Sequence, residues 1–240
     1  MRLARLVAVL LASGFALFVA ALALSSFPAY ADSPYGRDDR QASGYGRPLP
    51  PFEYTDHARP ASSGRTIMLY VDSDFPAGPR QAIVAAMRQW NYALNGYVQF
   101  RARVLPREAT SADIARLRRD GAWIVASVDS RHPVAQRGEG LHALAVTVGN
   151  GHDGFVYVIA DRIGGRDLTG VVMHEFGHVL GAGHDQVGLM APVYNAAAAR
   201  CIDRDSVALV ASAQRLPLQR LNWCEMPGYN QPRSAANAYR

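Results

Sequence analysis

Residues 174–185, HEFGHVLGAGHD, limit what this chain can fold into more than any other segment. His174 and His178 stand four residues apart, so on a helix they lie one turn apart on one face. Two imidazoles so placed can grip one ion, and zinc accepts nitrogen ligands without imposing a d-electron geometry. Glu175 follows the first histidine directly. That sets a carboxylate beside the metal without making it a ligand, which suits a general base. Gly181 comes three residues after His178. Glycine tolerates positive φ, so it can end the helix and turn the chain sharply. The turn would bring His184 round as a third ligand, and Gly183 loosens the same loop. Three protein nitrogens leave a fourth zinc position for water, which marks a catalytic rather than a structural site. The alternative is a buried helix with satisfied histidines, but packing alone rarely crowds three histidines together.

The rest of the chain bounds the setting. At 240 residues there is room for one ordinary domain once a targeting segment is removed. Arg2 and Arg5 precede an uncharged apolar run over 6–24, followed by Pro28 and the triplet Ala29-Tyr30-Ala31. This reads as a secretory signal cleaved after Ala31, over residues 1–31, and places the mature protein in the periplasm or outside the cell. An uncleaved anchor is the alternative, since the run could nearly span a bilayer. With the signal removed, no membrane contact is expected. Cleavage takes away two arginines and no carboxylate from a formal charge of +5. The remaining mild, scattered basicity gives no reason to expect nucleic acid. Cys201 and Cys224 are an even pair in an exported chain, which permits a disulfide; two free thiols are the other reading.

Residues 32–64 are rich in Pro, Gly, Ser and Tyr and show no periodicity, as in a linker or short pro-segment. The folded unit is expected over 65–240, with a tail after Cys224. Strands are expected at 67–71, 97–104, 123–128, 141–148 and 155–160. Ile83, Met87, Trp90 and Leu94 give a helix over 79–95 its apolar face. Further helices are expected at 111–119, at 168–180 with Asp167 as N-cap, and at 204–214 with Asp203 as N-cap. This order predicts one α/β (α+β) domain: a small mixed sheet, a helix carrying the histidines and a C-terminal helix.

HEFGHVLGAGH resembles the extended zinc signature of the metzincin clan. The clan also has a methionine turn downstream, and Met190 stands in Gly188-Leu189-Met190-Ala191-Pro192-Val193-Tyr194. The resemblance implies that Met190 is an apolar floor beneath the metal. Pro192 and Tyr194 follow the methionine at the offsets seen in matrixins, the matrix-metalloproteinase-like group. By that likeness they line the pocket for the side chain after the cut bond. Asp185, directly after the third histidine, is similar to adamalysins instead. Gly140 to Ala145 resembles the matrixin edge strand, along which extended peptide would add. The resemblance implies a twisted metzincin-like catalytic domain and a zinc endopeptidase acting as a monomer on protein or peptide. Glu175 would be its base, with one catalytic Zn2+. A zinc-stabilised binding protein that does not cut is the rival reading.

Two features depart from the matrixin pattern. No cysteine precedes Cys201, so a cysteine that blocks the metal from a pro-segment is missing; Asp56 or His57 would be the substitute. His132, His142, His152 and Asp153 do not have the spacing of a second, structural zinc and read as surface or turn residues. A Ca2+ near Asp153 or Asp161 is left open.

Overall fold

The structure, a computed structural model, describes residues 64–136 and 138–225. The expected signal segment, nearly all of the 32–64 linker with Asp56 and His57, and the tail from 226 lie outside the described residues.

β1 (Arg65–Asp72) is an inner strand of the sheet, between β2 and β3. Its side chains alternate between two faces, as a pleated strand requires. Leu69 and Val71 enter the main core, while Tyr70 joins a smaller cluster on the other face. α1 (Ala77–Ala93) buries the stripe that contains Ile83, Ala86 and Trp90. It ends where Asn95 and Gly96 turn left-handed. β2 (Val98–Leu105) then pairs parallel to β1 along its whole length. α2 (Ser111–Arg119) starts with a reciprocal cap: the Thr110 hydroxyl accepts the Asp113 N–H, and the Asp113 carboxylate accepts the Thr110 N–H. It lies on the surface against the smaller cluster, with Ile114 and Leu117 inward.

β3 (Trp123–Val128) runs parallel to β1 on its other side. β4 (Ala145–Gly149) and β5 (Gly154–Ile159) form an antiparallel hairpin, and β5 pairs parallel to β3. The sheet order is β2-β1-β3-β5-β4, so among the described residues β4 is an edge strand with its outer side unpaired. A short α3 (Ala160–Ile163) leads to α4 (Leu168–Val179), and α5 (Arg204–Gln214) follows after a long loop. α1, α4 and α5 share the main core against one face of the sheet. None of the helices among the described residues is long and apolar enough to cross a membrane.

The expected α/β architecture is present, and α2, β3 and α5 have the expected limits. One element is corrected. Residues 141–144 are not strand: a 3₁₀ turn occupies Gly138–Leu141, and pairing starts at Ala145. The cause lies in backbone bonding. The Gly140 and Ala143 carbonyls accept hydrogen bonds from the Arg162 guanidinium, so they join no ladder. Of the segment 140–145 expected to be the edge strand, only Ala145 belongs to it, and residues 140–144 lead into it. The two cysteines form a disulfide, Cys201–Cys224, with both residues fully buried.

Candidate metal centre

Three separate contacts fix α4, which carries the first two histidines. At its start the Asp167 carboxylate caps Thr169 N–H at 2.9 Å, and Asp167 N–H in turn donates to the Tyr194 hydroxyl at 3.2 Å. In the middle, the buried indole N–H of Trp90 donates to the Met173 carbonyl at 2.8 Å, one residue before His174. At its end Gly181 takes φ 85°, which a side-chain-bearing residue would resist. Gly181 N–H bonds the His178 carbonyl and Ala182 N–H bonds the Gly177 carbonyl, both at 2.9 Å, the paired bonds of a Schellman ending.

That ending also orients a ligand. It brings the Ala182 carbonyl to 2.8 Å from His178 Nδ1. Likewise the Leu189 carbonyl lies 2.7 Å from His174 Nδ1. A carbonyl can only accept, so each Nδ1 carries the hydrogen and each Nε2 keeps its lone pair. With both rings neutral, the two Nε2 atoms, 3.0 Å apart, present their lone pairs to one another. Two lone pairs facing each other call for a shared cation.

His184 closes the group. Its ring centroid lies 4.7 Å from that of His178 and 5.4 Å from that of His174. One ligand atom from each histidine falls within 4.8 Å of the other two. Zinc–nitrogen bonds of about 2.0–2.1 Å in a tetrahedron set nitrogens about 3.3 Å apart, so the trio fits zinc with small adjustments. Among the described residues, no other group of three or more His, Cys, Asp or Glu side chains gathers in this way. His132, His142, His152 and Asp153 therefore form no second cluster. The carboxylates considered for calcium are engaged: Asp153 by Arg118 and Asn150, Asp161 by Ser130.

Burial sets the electrostatics. It holds the His174 imidazole down to about 4, against a backbone hydrogen bond that works the other way, and so keeps the ring neutral. Burial also pushes the Glu175 carboxyl up to about 7, although the Thr147 hydroxyl pulls it back. That hydroxyl donates to Glu175 Oε2 at 2.6 Å. Thr147 belongs to β4, so the outermost strand touches the carboxylate directly. Trp123, Thr147, His178 and His184 border one cleft of about 320 Å³. A second hollow of about 590 Å³ is lined by Pro192, Val193, Tyr194 and their neighbours from 186 to 196.

The methionine turn is held from two sides. Met190 is fully buried and seats against Gly177. A Cβ on Gly177 would come within 2.3 Å of Met190 Sδ, so a larger residue here would force the buried methionine to move. From behind, Asp203 Oδ2 accepts Leu189 N–H at 2.8 Å, and Ser206 Oγ accepts Met190 N–H at 3.3 Å. Asp203 also caps α5, so one carboxylate ties that helix to the loop that orients His174. Asp185 N–H closes this loop on the Met190 carbonyl at 2.9 Å.

Sequence reasoning passed over Thr147, Gly177 and Ser206, and gave Asp203 only its capping role. Thr147 had one usable signal. On β4 it shares a face with the buried Ala145, and that face turns inward. Gly177 lay inside the motif, but at a position the motif leaves free.

The matrixin family pattern matches residues 79–212. No curated protein matches the chain closely enough to count as a relative. Among solved structures, one match is high choriolytic enzyme 1 (HCE-1), a hatching enzyme zinc-protease from the medaka fish Oryzias latipes. It is 20% identical, with a TM-score of 0.31, and the match covers 53% of this chain and 50% of that one. This chain thus matches about half the length of that structure, too loosely to support an argument. The family pattern extends over more than half of the chain and includes every residue of the candidate centre, and on that ground the chain belongs to the matrixin family of metzincin-clan zinc metallopeptidases.

Proposed function

We propose that this protein is an exported zinc endopeptidase in which His174, His178 and His184 hold one zinc ion and Glu175 is the general base. One observation carries the reading: His174, His178 and His184 gather their ring nitrogens at one point, and the cleft that His178 borders is shared with Thr147, which holds the buried Glu175 carboxylate. When bound, the ion would supply Lewis acidity and an acidified water. Glu175 accepts the proton of the attacking water and delivers it to the departing amine. Thr147 occupies Oε2 and leaves Oε1 free for the water.

An extended peptide would lie along the open edge of β4 by backbone pairing. Pro192 and Tyr194, with the exposed Val193, would form the wall of the pocket for the side chain after the cut bond. Met190 would be the apolar floor. The Cys201–Cys224 disulfide fits an oxidising compartment, consistent with export through a signal over 1–31. Digestion of a peptide library by the purified protein, with and without a zinc chelator, tests the reading. Chelator-sensitive cleavage is expected; zinc binding without any cleavage would favour a zinc-stabilised binding protein.

A further inference from the structure

Between β3 and β4 the chain makes an excursion over residues 129–144, and α3 grips it at both ends. At the start, both Asp161 oxygens are taken by Ser130: Oδ1 accepts the backbone N–H at 2.9 Å and Oδ2 the hydroxyl at 2.6 Å. At the far end, the neighbouring Arg162 guanidinium reaches three backbone carbonyls. It donates to Ala135 at 3.0 Å, to Ala143 at 3.1 Å, and to Gly140. Ala135 and Gly140 are buried, so without the guanidinium their carbonyls would lose a partner. Ile159 N–H then bonds the Leu144 carbonyl at 2.9 Å, one residue before β4 begins.

Carbonyls drawn from separate parts of a loop can be gathered by a metal ion or by a fixed fork of N–H donors. Here the fork is present. A lysine could not replace it, because one ammonium cannot satisfy three carbonyls in the same spread geometry. We infer that Asp161 and Arg162 are positioning residues: a metal-independent clamp that fixes the 129–144 rim and thereby sets the edge of β4 for an extended peptide. The role in peptide binding rests on the peptidase reading above; the clamp itself does not.

The test uses the full-length protein and the variants Arg162→Lys and Asp161→Asn. Amide hydrogen exchange is followed over 130–136 and 140–144, before and after zinc chelation. Loss of one well-placed hydrogen bond should speed exchange there by about tenfold in each variant. Chelation of the wild type should leave these amides unchanged. The zinc content of both variants should equal that of the wild type. For long peptides KM should rise several-fold while kcat holds, and for short peptides neither should change. Unaltered exchange in both variants would overturn the clamp. So would wild-type exchange that speeds up on chelation, because a metal would then be holding the loop. Faster exchange with unchanged KM for long peptides would overturn the link to substrate. A wild type that binds zinc but cuts nothing would refute the peptidase reading, and exchange would still decide the clamp.

Discussion

Glu175 is a carboxyl held in a nearly closed site, 5% exposed, with one short hydrogen bond from Thr147. Its ionisation is costly in the metal-free fold, and this has a measurable consequence. A carboxyl raised from 4.5 to about 7 binds its proton more tightly when folded than when unfolded. Its stabilising contribution is therefore complete below pH 4.5 and is lost as pH rises through 7. Glu175→Gln removes that loss. Between pH 5 and 7 the metal-free variant should gain on the order of 2 kcal/mol relative to metal-free wild type. His174, held down to about 4, has the opposite dependence, its contribution fading as pH falls from 6.5 through 4. It is common to both proteins and cancels in the difference. Chemical denaturation of the two metal-free proteins at the two pH values checks this, and a constant gap would show that Glu175 is not buried as described. The sequence placed Glu175 beside the histidines because helical spacing is a local property. It could not place Thr147 there, because that contact depends on how a distant strand docks against α4.

The loop between His184 and α5 shows how one element orients another. Asp203 is no metal ligand, but it caps α5 and holds Leu189 N–H, and the Leu189 carbonyl orients His174. Asp203→Ala removes the cap and leaves a buried N–H unpaired, which together should cost about 2–3 kcal/mol. Outer partners of this kind commonly change metal affinity by about 10–100-fold. Competition with a chromogenic zinc chelator should show that loss, whereas unchanged affinity would mean that Leu189 keeps its place without Asp203. Asp203 was legible as a cap because capping is read within one turn. The long-range half of its role was not. The reverse case is the approach to β4. The sequence suggested a strand over 141–148, but Arg162 diverts the first carbonyls, and a side chain some twenty residues away leaves no mark on local periodicity.

At the scale of the described fold, a mixed sheet and three helices share one core, and the metal centre sits where α4 passes beneath the hairpin strand β4. The order of strands and helices was readable from apolar patterning, while the sheet order β2-β1-β3-β5-β4 depends on pairing between distant segments. The disulfide fastens the C-terminal end of the described fold to the approach to α5, across a sequence separation of 23 residues. Closing a loop of that length should stabilise the fold by about 3 kcal/mol. A Cys201→Ser, Cys224→Ser protein should therefore melt at a lower temperature but keep the zinc affinity of wild type when folded, since neither sulfur touches the histidines. Equal melting temperatures would contradict this.

The claim that Glu175 is the base of a zinc peptidase is tested most directly by comparing the zinc content and peptide turnover of Glu175→Gln with those of wild type. The account predicts one zinc per chain in both proteins, and turnover in the variant lower by about 10²–10⁴-fold. A variant that keeps its zinc and cleaves as fast as wild type would contradict it.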